Sequence, residues 1–302
     1  LTNGLNLQYH TTMETEIKTS FGEAFKSLDP ALAAGMTTKM EMSFDTGYRI
    51  EAGSTPGTYQ VTMSIDSMEL GSGSVEMGRE SFDFSDLPQS ELDAALKGQL
   101  TEVVYVIDDK GVILSLELAG MSIDVNALLG GTNPGTISSG QMFGPELPEG
   151  VVEVGDTWTT SSEQAFGEMD PIVTEQTHTI LRSEERNGYQ TWLIRSKATT
   201  DAYTITWEDL VAMAEGFGGV GEMGIDADLA PSYQMSMRSA PSSTTTITWF
   251  DPAGGIAVAS DVTTRIAMTM EMGGFPGLAG SVTARVDGYT RMLMELVTPA
   301  DA

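Results

Sequence analysis

The sequence predicts a mainly β protein whose antiparallel sheets curve into an open half-barrel or a sandwich, with a few short covering helices. Three observations predict it. Segments that alternate apolar with polar residues, rich in Thr, Val, Ile, Met and Tyr, recur along the chain. Gly, Asp, Asn and Pro punctuate them at turn spacing. Stretches with a helical period are few and short.

Taken in order, residues 7–18, 37–50, 58–70, 101–107 and 112–118 alternate. Residues 173–182, 190–199, 233–238, 244–250, 256–272 and 281–297 do the same in the second half. The longest can form single long strands or strands broken by bulges. Asp108-Asp109-Lys110-Gly111, Asn187-Gly188 and Asp251-Pro252-Ala253-Gly254-Gly255 each separate two such runs and predict hairpins. Helices are expected over 90–97, ahead of Gly98, and over 206–215, where Thr206 and Asp209 form a capping-box start. A third is expected within 21–34, interrupted at Pro30. Residues 130–148 and 216–231 read as loosely structured. The first of these divides the chain into halves, 1–145 and 146–302, that share one order of elements. Residues 103–118 and 246–263 are the best matching pieces. The order raises a duplication that residue identity alone does not establish; one continuous domain is the alternative.

With 302 residues, 40% of them hydrophobic, the chain can bury a sizeable core. Lys and Arg number 15 against 43 Asp and Glu, a formal net charge of −28. That charge repels nucleic acid and anionic headgroups, so neither is an expected partner. It attracts divalent cations such as calcium without specifying a site, and no cofactor is expected. There is no cysteine, which removes disulfides, thiol chemistry and Cys-based zinc. The two histidines, His10 and His178, lack metal spacing and sit in strand-like alternations. No apolar run is long enough to be a membrane-spanning helix. The start at Leu1, the Thr/Ser/Gly-rich texture and the scarcity of lysine lead to the expectation of an exported protein that has lost its leader, or of a fragment.

Methionine is the unusual residue, with 19 in the chain. Met40 and Met42, Met235 and Met237, Met268, Met270 and Met272, and Met292 and Met294 stand two apart, which in a strand places each set on one face. Three readings stay open: a packed core, a deformable pocket lining for a lipid-like ligand, and thioether ligands for copper(I). No nucleophile elbow, zinc-protease helix motif or phosphate loop is present, so catalysis is not the expected function.

The most distinctive segment is Leu147-Pro148-Glu149-Gly150-Val151-Val152-Glu153-Val154-Gly155-Asp156-Thr157-Trp158. Gly155-Asp156 predicts a turn and Trp158 a core anchor at the start of a strand. The segment resembles a Leu-Pro, Val-x-x-Gly-Asp-x-Trp motif of a family of exported bacterial proteins, often lipoproteins. Such chains look similar in architecture to lipoprotein carriers of the LolA type, which implies an open half-barrel around apolar cargo. The lipid-anchoring cysteine of a lipoprotein is absent from this chain. Two functions follow as expectations. One is a non-catalytic, extracytoplasmic structural or interaction protein that assembles with itself or with another envelope or extracellular protein. The other is a carrier for a lipid-like ligand in a Met-lined cavity.

Overall fold

The computed structural model describes residues 4–23, 34–78, 80–84, 102–108, 113–118, 121–123, 144–145, 147–148, 150–164, 171–209, 211, 234–273 and 281–297. The strands are β1 (Leu5–Phe21), β2 (Met36–Ala52), β3 (Thr58–Met77), β4 (Glu80–Asp83), β5 (Glu102–Asp108), β6 (Ile113–Leu118) and β7 (Met121–Ile123) in the first half. The second half holds β8 (Thr157–Gln164), β9 (Ile172–Arg186), β10 (Tyr189–Thr200), β11 (Tyr203–Thr206), β12 (Gln234–Ser239), β13 (Ser242–Asp251), β14 (Ile256–Gly273) and β15 (Val282–Leu296). They form one antiparallel 15-stranded sheet that does not close on itself.

From edge to edge the sheet runs β7-β6-β5-β3-β2-β1-β15-β14-β13-β10-β9-β8. This is two six-stranded meanders, β1-β2-β3-β5-β6-β7 and β8-β9-β10-β13-β14-β15, joined where β1 pairs with β15 over Tyr9–Phe21. The two match place for place. Both have short connections between the second and third strands and between the fourth and fifth. Both carry a long connection between the third and fourth, where the extra short strands β4, β11 and β12 lie. Residues 103–118 and 246–263, the best matching pieces of sequence, fall on the same fourth-to-fifth hairpin of each meander.

Turn chemistry follows the sequence. Asn187 (φ 50°) and Gly188 (φ 81°) both adopt the left-handed conformation, as a two-residue hairpin loop between twisted strands requires. The Asp251 carboxylate accepts from the backbone N–H groups of Ala253 and Gly254 at 3.0 Å each and closes the β13–β14 turn. Thr206 and Asp209 make the expected reciprocal cap, Asp209 accepting from the Thr206 N–H at 2.7 Å, on a helical turn at residues 207–209. The expected helix over 90–97, most of the one within 21–34, the rest of 206–215, the turn at 109–111 and nearly all of the two loose stretches lie outside the described residues.

The Asn187-Gly188 and Asp251 turns share one end of the sheet, the hairpin end, and the apolar cores lie there, whereas the Thr206 cap lies toward the opposite end. Leu7, Tyr9, Ile50, Val61, Ile107, Ile256, Val258, Met294 and Leu296 are buried together. Tyr105 of β5 and Tyr189 of β10 pack against the same cluster, although six strands separate β5 from β10 in the sheet. The sheet is curved, and the cluster shared by Tyr105, Tyr48 and Tyr9, from strands up to three places apart, lies on its concave face. The Tyr9 hydroxyl bridges the curl by donating to the Ala257 carbonyl at 2.8 Å. Burial drives the phenols of Tyr9 and Tyr105 far above their ordinary pKa and pushes Tyr48 up to about 12, so this cluster stays neutral.

Strand β3 shows how the sequence keeps one face apolar. Against β2 its register shifts twice, between Glu41 and Met42 and between Asp45 and Thr46. Val61, Met63 and Ile65 face inward, then Met68 and Leu70, then Gly73, Val75 and Met77. Each extra residue absorbs a break in the alternation that would otherwise turn the following apolar residues outward.

Replacing Tyr9 by Phe leaves the buried Ala257 carbonyl without that donor. The expected loss is about 1–2 kcal/mol, read from urea unfolding. An unchanged midpoint would show that the bridge contributes nothing to the curl.

Candidate functional site

The concave face is set by cross-strand register. Met13 of β1 stands between Met42 of β2 and Met292 of β15, and Val262 of β14 follows Met292. Toward the other end, Met237 pairs with Met270 and Met235 with Met272, while Met268 pairs with Ser239 and Val286. Thus Met40, Met42, Met235, Met237, Met268, Met270, Met272, Met292 and Met294 all lie on one face, gathered in two patches. Met13, Met36, Met63, Met68 and Met77 join them. Their spacing gave no repeated signal in the sequence, because Met13 stands alone and bulges break the period of β3.

Burial is graded along this face. Met294, beside the hairpin-end core, is buried. The other methionines of β1, β2, β3, β12, β14 and β15 are partly exposed. Phe84 covers part of the face near its β3 side, lying where a side chain on Gly73 would project.

Charge is absent from the concave positions of these strands. On β1 the inward residues are Leu5, Leu7, Tyr9, Thr11, Met13, Thr15, Ile17, Thr19 and Phe21, whereas Glu14, Glu16 and Lys18 point outward. The convex face carries the ion pairs: Arg291 with Asp261 at 2.7 Å, Arg285 with Asp287 at 2.9 Å and Lys18 with Glu16 at 2.8 Å. Its neighbour pair, His10 with Asp45 at 2.8 Å, is joined by Ser67, and these hydrogen bonds hold the Asp45 carboxyl below its usual range. Among the described residues no group of three or more His, Asp and Glu side chains gathers as a metal site. Among them, too, no helix is long and apolar enough to cross a membrane.

The Gly155-Asp156-Trp158 motif builds the β8 edge of the concave face, toward the hairpin end. Gly155 adopts φ 99°, and Asp156 accepts from the Glu153 N–H at 2.8 Å. The Gly155 N–H donates to the Ile180 carbonyl, and the Ile180 N–H donates back to Asp156. This turn delivers Trp158 onto β8, where its ring stacks on His178 at 5.0 Å and packs against the core of Ile180, Ile194 and Phe250. His178 is buried and both ring nitrogens meet hydroxyls, Ser196 at 2.8 Å and Thr160 at 3.0 Å. Hydroxyls on both sides satisfy a neutral imidazole, whichever tautomer it adopts, and fix the ring between β8 and β10.

No protein-family model matches the sequence, and a search of curated proteins gives no match either. Solved structures do show likenesses. One, from a structure of lipid–protein interactions in lipovitellin, is 11% identical with a TM-score of 0.42; it covers 100% of this chain and 26% of that one. This chain thus spans about a quarter of the lipovitellin chain. Pseudomonas aeruginosa OccK5 (OpdH) is 7% identical with a TM-score of 0.18, covering 98% of this chain and 99% of the other. Pseudomonas aeruginosa OpdQ is 6% identical with a TM-score of 0.22, covering 97% and 98%. At TM-scores this low, none of the three bears on what this chain binds.

Burial lowers the His178 pKa to about 4, so the folded chain keeps the ring neutral where the unfolded chain takes up a proton. Its contribution to stability is full above pH ~6.5 and falls as the pH drops from there toward about 4. Urea midpoints measured from pH ~8 to ~4.5 should decline through this window, and His178→Gln should remove that part of the slope. An equal slope in the variant would mean that other groups cause it.

Proposed function

We propose that this chain is a non-catalytic, extracytoplasmic carrier that holds a lipid-like apolar ligand on its concave face. One observation carries the reading. The face is uncharged over the full length of its central strands, its large buried side chains gather mainly at the hairpin end, and beyond them the methionines remain partly exposed around the buried Val282, Ala284 and Ser239. Apolar surface of this kind is stabilised when covered, by about 0.8 kcal/mol per buried methylene of a ligand. Methionine suits such a lining because its unbranched, polarizable chain repacks around varied shapes. The extracytoplasmic part rests on the composition of the sequence and on its resemblance to exported bacterial proteins.

Organic extraction of the native protein followed by mass spectrometry tests the reading directly; an apolar ligand at near-stoichiometric yield is expected. Met270→Glu places a charge on the partly exposed methionine patch, away from the hairpin-end core. It should abolish uptake of a fluorescent apolar reporter and shift folding stability by less than about 1 kcal/mol. A variant that fails to fold would identify the patch as closed core and overturn the reading.

A second reading, self-assembly as a structural or interaction protein, is favoured by the open sheet, whose edge strands β7 and β8 each pair on one side only among the described residues. Light scattering after size exclusion, across salt and calcium concentrations, decides it. Assemblies that grow with concentration support edge pairing, and a monomer throughout eliminates it.

A further inference from the structure

We infer that the ligand of the concave face is electrically neutral: long alkyl chains that carry an ester or hydroxyl group, rather than a fatty acid or a phospholipid. This rests on the carrier reading and names its ligand class. The first ground is charge. The described Lys and Arg side chains of β1, β2, β14 and β15, namely Lys18, Lys39, Arg49, Arg265, Arg285 and Arg291, all alternate with the concave positions and belong to the convex face. A carboxylate or phosphate seated on the concave face would lose its water and find no counter-charge. The net charge of −28 opposes its approach as well.

The second ground is a row of uncharged hydrogen-bonding groups across the middle of the face. Thr160 stands beside Gln176, and past Ala198 the row continues through Thr244, Thr264, Thr290 and Thr15 to Met40. Each of these polar residues is partly exposed. Thr244 and Thr264 share a hydrogen bond at 3.0 Å, and Thr15 and Thr290 share one at 3.3 Å. Each pair uses one hydroxyl proton internally and keeps one to donate outward. On the hairpin side of this row lie Val262, Met292, Met13 and Met42; on the loop side lie Ile266, Ile17 and then the Met268–Met272 patch. Donors flanked on both sides by apolar surface match a molecule whose carbonyl or hydroxyl sits between, or at the end of, alkyl arms.

The test uses the full chain loaded with Nile red and displaced by three probes of one chain length: methyl palmitate, palmitate at pH ~8 and hexadecane. Methyl palmitate is expected to bind about tenfold or more tighter than palmitate, and several-fold tighter than hexadecane. In the Thr264→Val/Thr290→Val variant the advantage over hexadecane should vanish while hexadecane affinity is unchanged, an effect that a merely strand-forming role for these threonines would not produce. Palmitate binding as tight as the ester overturns the neutral-ligand assignment alone. An ester advantage that survives the double substitution overturns the assignment to the hydroxyls. Displacement by none of the three overturns the carrier reading itself, and this inference with it.

Discussion

Everything in this molecule depends on keeping charge off one face of a very long sheet. Side chains in a strand alternate, so a single slip in register exchanges the two faces. With 43 Asp and Glu in the chain, a slip in these strands would carry carboxylates into the curl. The bulges in β3 are the visible correction: where apolar spacing breaks, the backbone gains a residue and the parity is restored. Additional bulges lie at Leu193/Ile194 and Trp249/Phe250, near the second core. Bulges also increase local twist, so the device that sorts the faces also helps to curl the sheet.

The curl has unequal ends because the turns are unequal. Tight hairpins hold neighbouring strands at fixed spacing, and the largest side chains, Tyr9, Tyr48, Tyr105 and Tyr189, meet there. The long connections leave from the opposite end, beside the Met235, Met237, Met268, Met270 and Met272 patch. A stable scaffold and an adaptable surface are thus built from the same strands. The first residues of β1 and the last of β15 anchor the core, while the far end of β1 and the middle of β15 present partly exposed apolar side chains, with Val282 and Ala284 buried at the far end of β15.

Much of the fold was legible in the sequence. Alternation placed the long strands, and Asn187-Gly188 and Asp251 marked hairpins, because both signals are local. The Trp158 turn was legible for the same reason, since Gly155 requires φ > 0 and Asp156 can close the loop. What local signals could not convey is which strands meet. The pairing of β1 with β15 joins the two ends of the chain, and no spacing encodes a partner some 270 residues away. The short strands β4, β7 and β11 were missed because three or four residues carry too little alternation to register. Met-x-Met pairs disclosed single-strand stripes, but their union with Met13 and Met68 into one surface needed the cross-strand register. So did the threonine row, whose members are scattered from Thr15 to Thr290.

The residue types on the concave face change along its strands. A closed sandwich core favours Val, Ile and Leu, whose branched chains lock into few rotamers and specify one packing. That chemistry is what the hairpin end uses, at Ile50, Val61, Ile107, Ile180, Ile194 and Val258. Beyond it the same face turns to methionine, which specifies packing poorly, and threonine, buried at Thr11, Thr46 and Thr248 nearer the core, becomes partly exposed there with a hydroxyl left to satisfy. Because the change occurs along single strands, neither strand propensity nor the position of a strand in the sheet explains it. The proposed carrier role would account for both at once, since its ligand would cover a surface of variable shape and meet an uncharged polar group at mid-height.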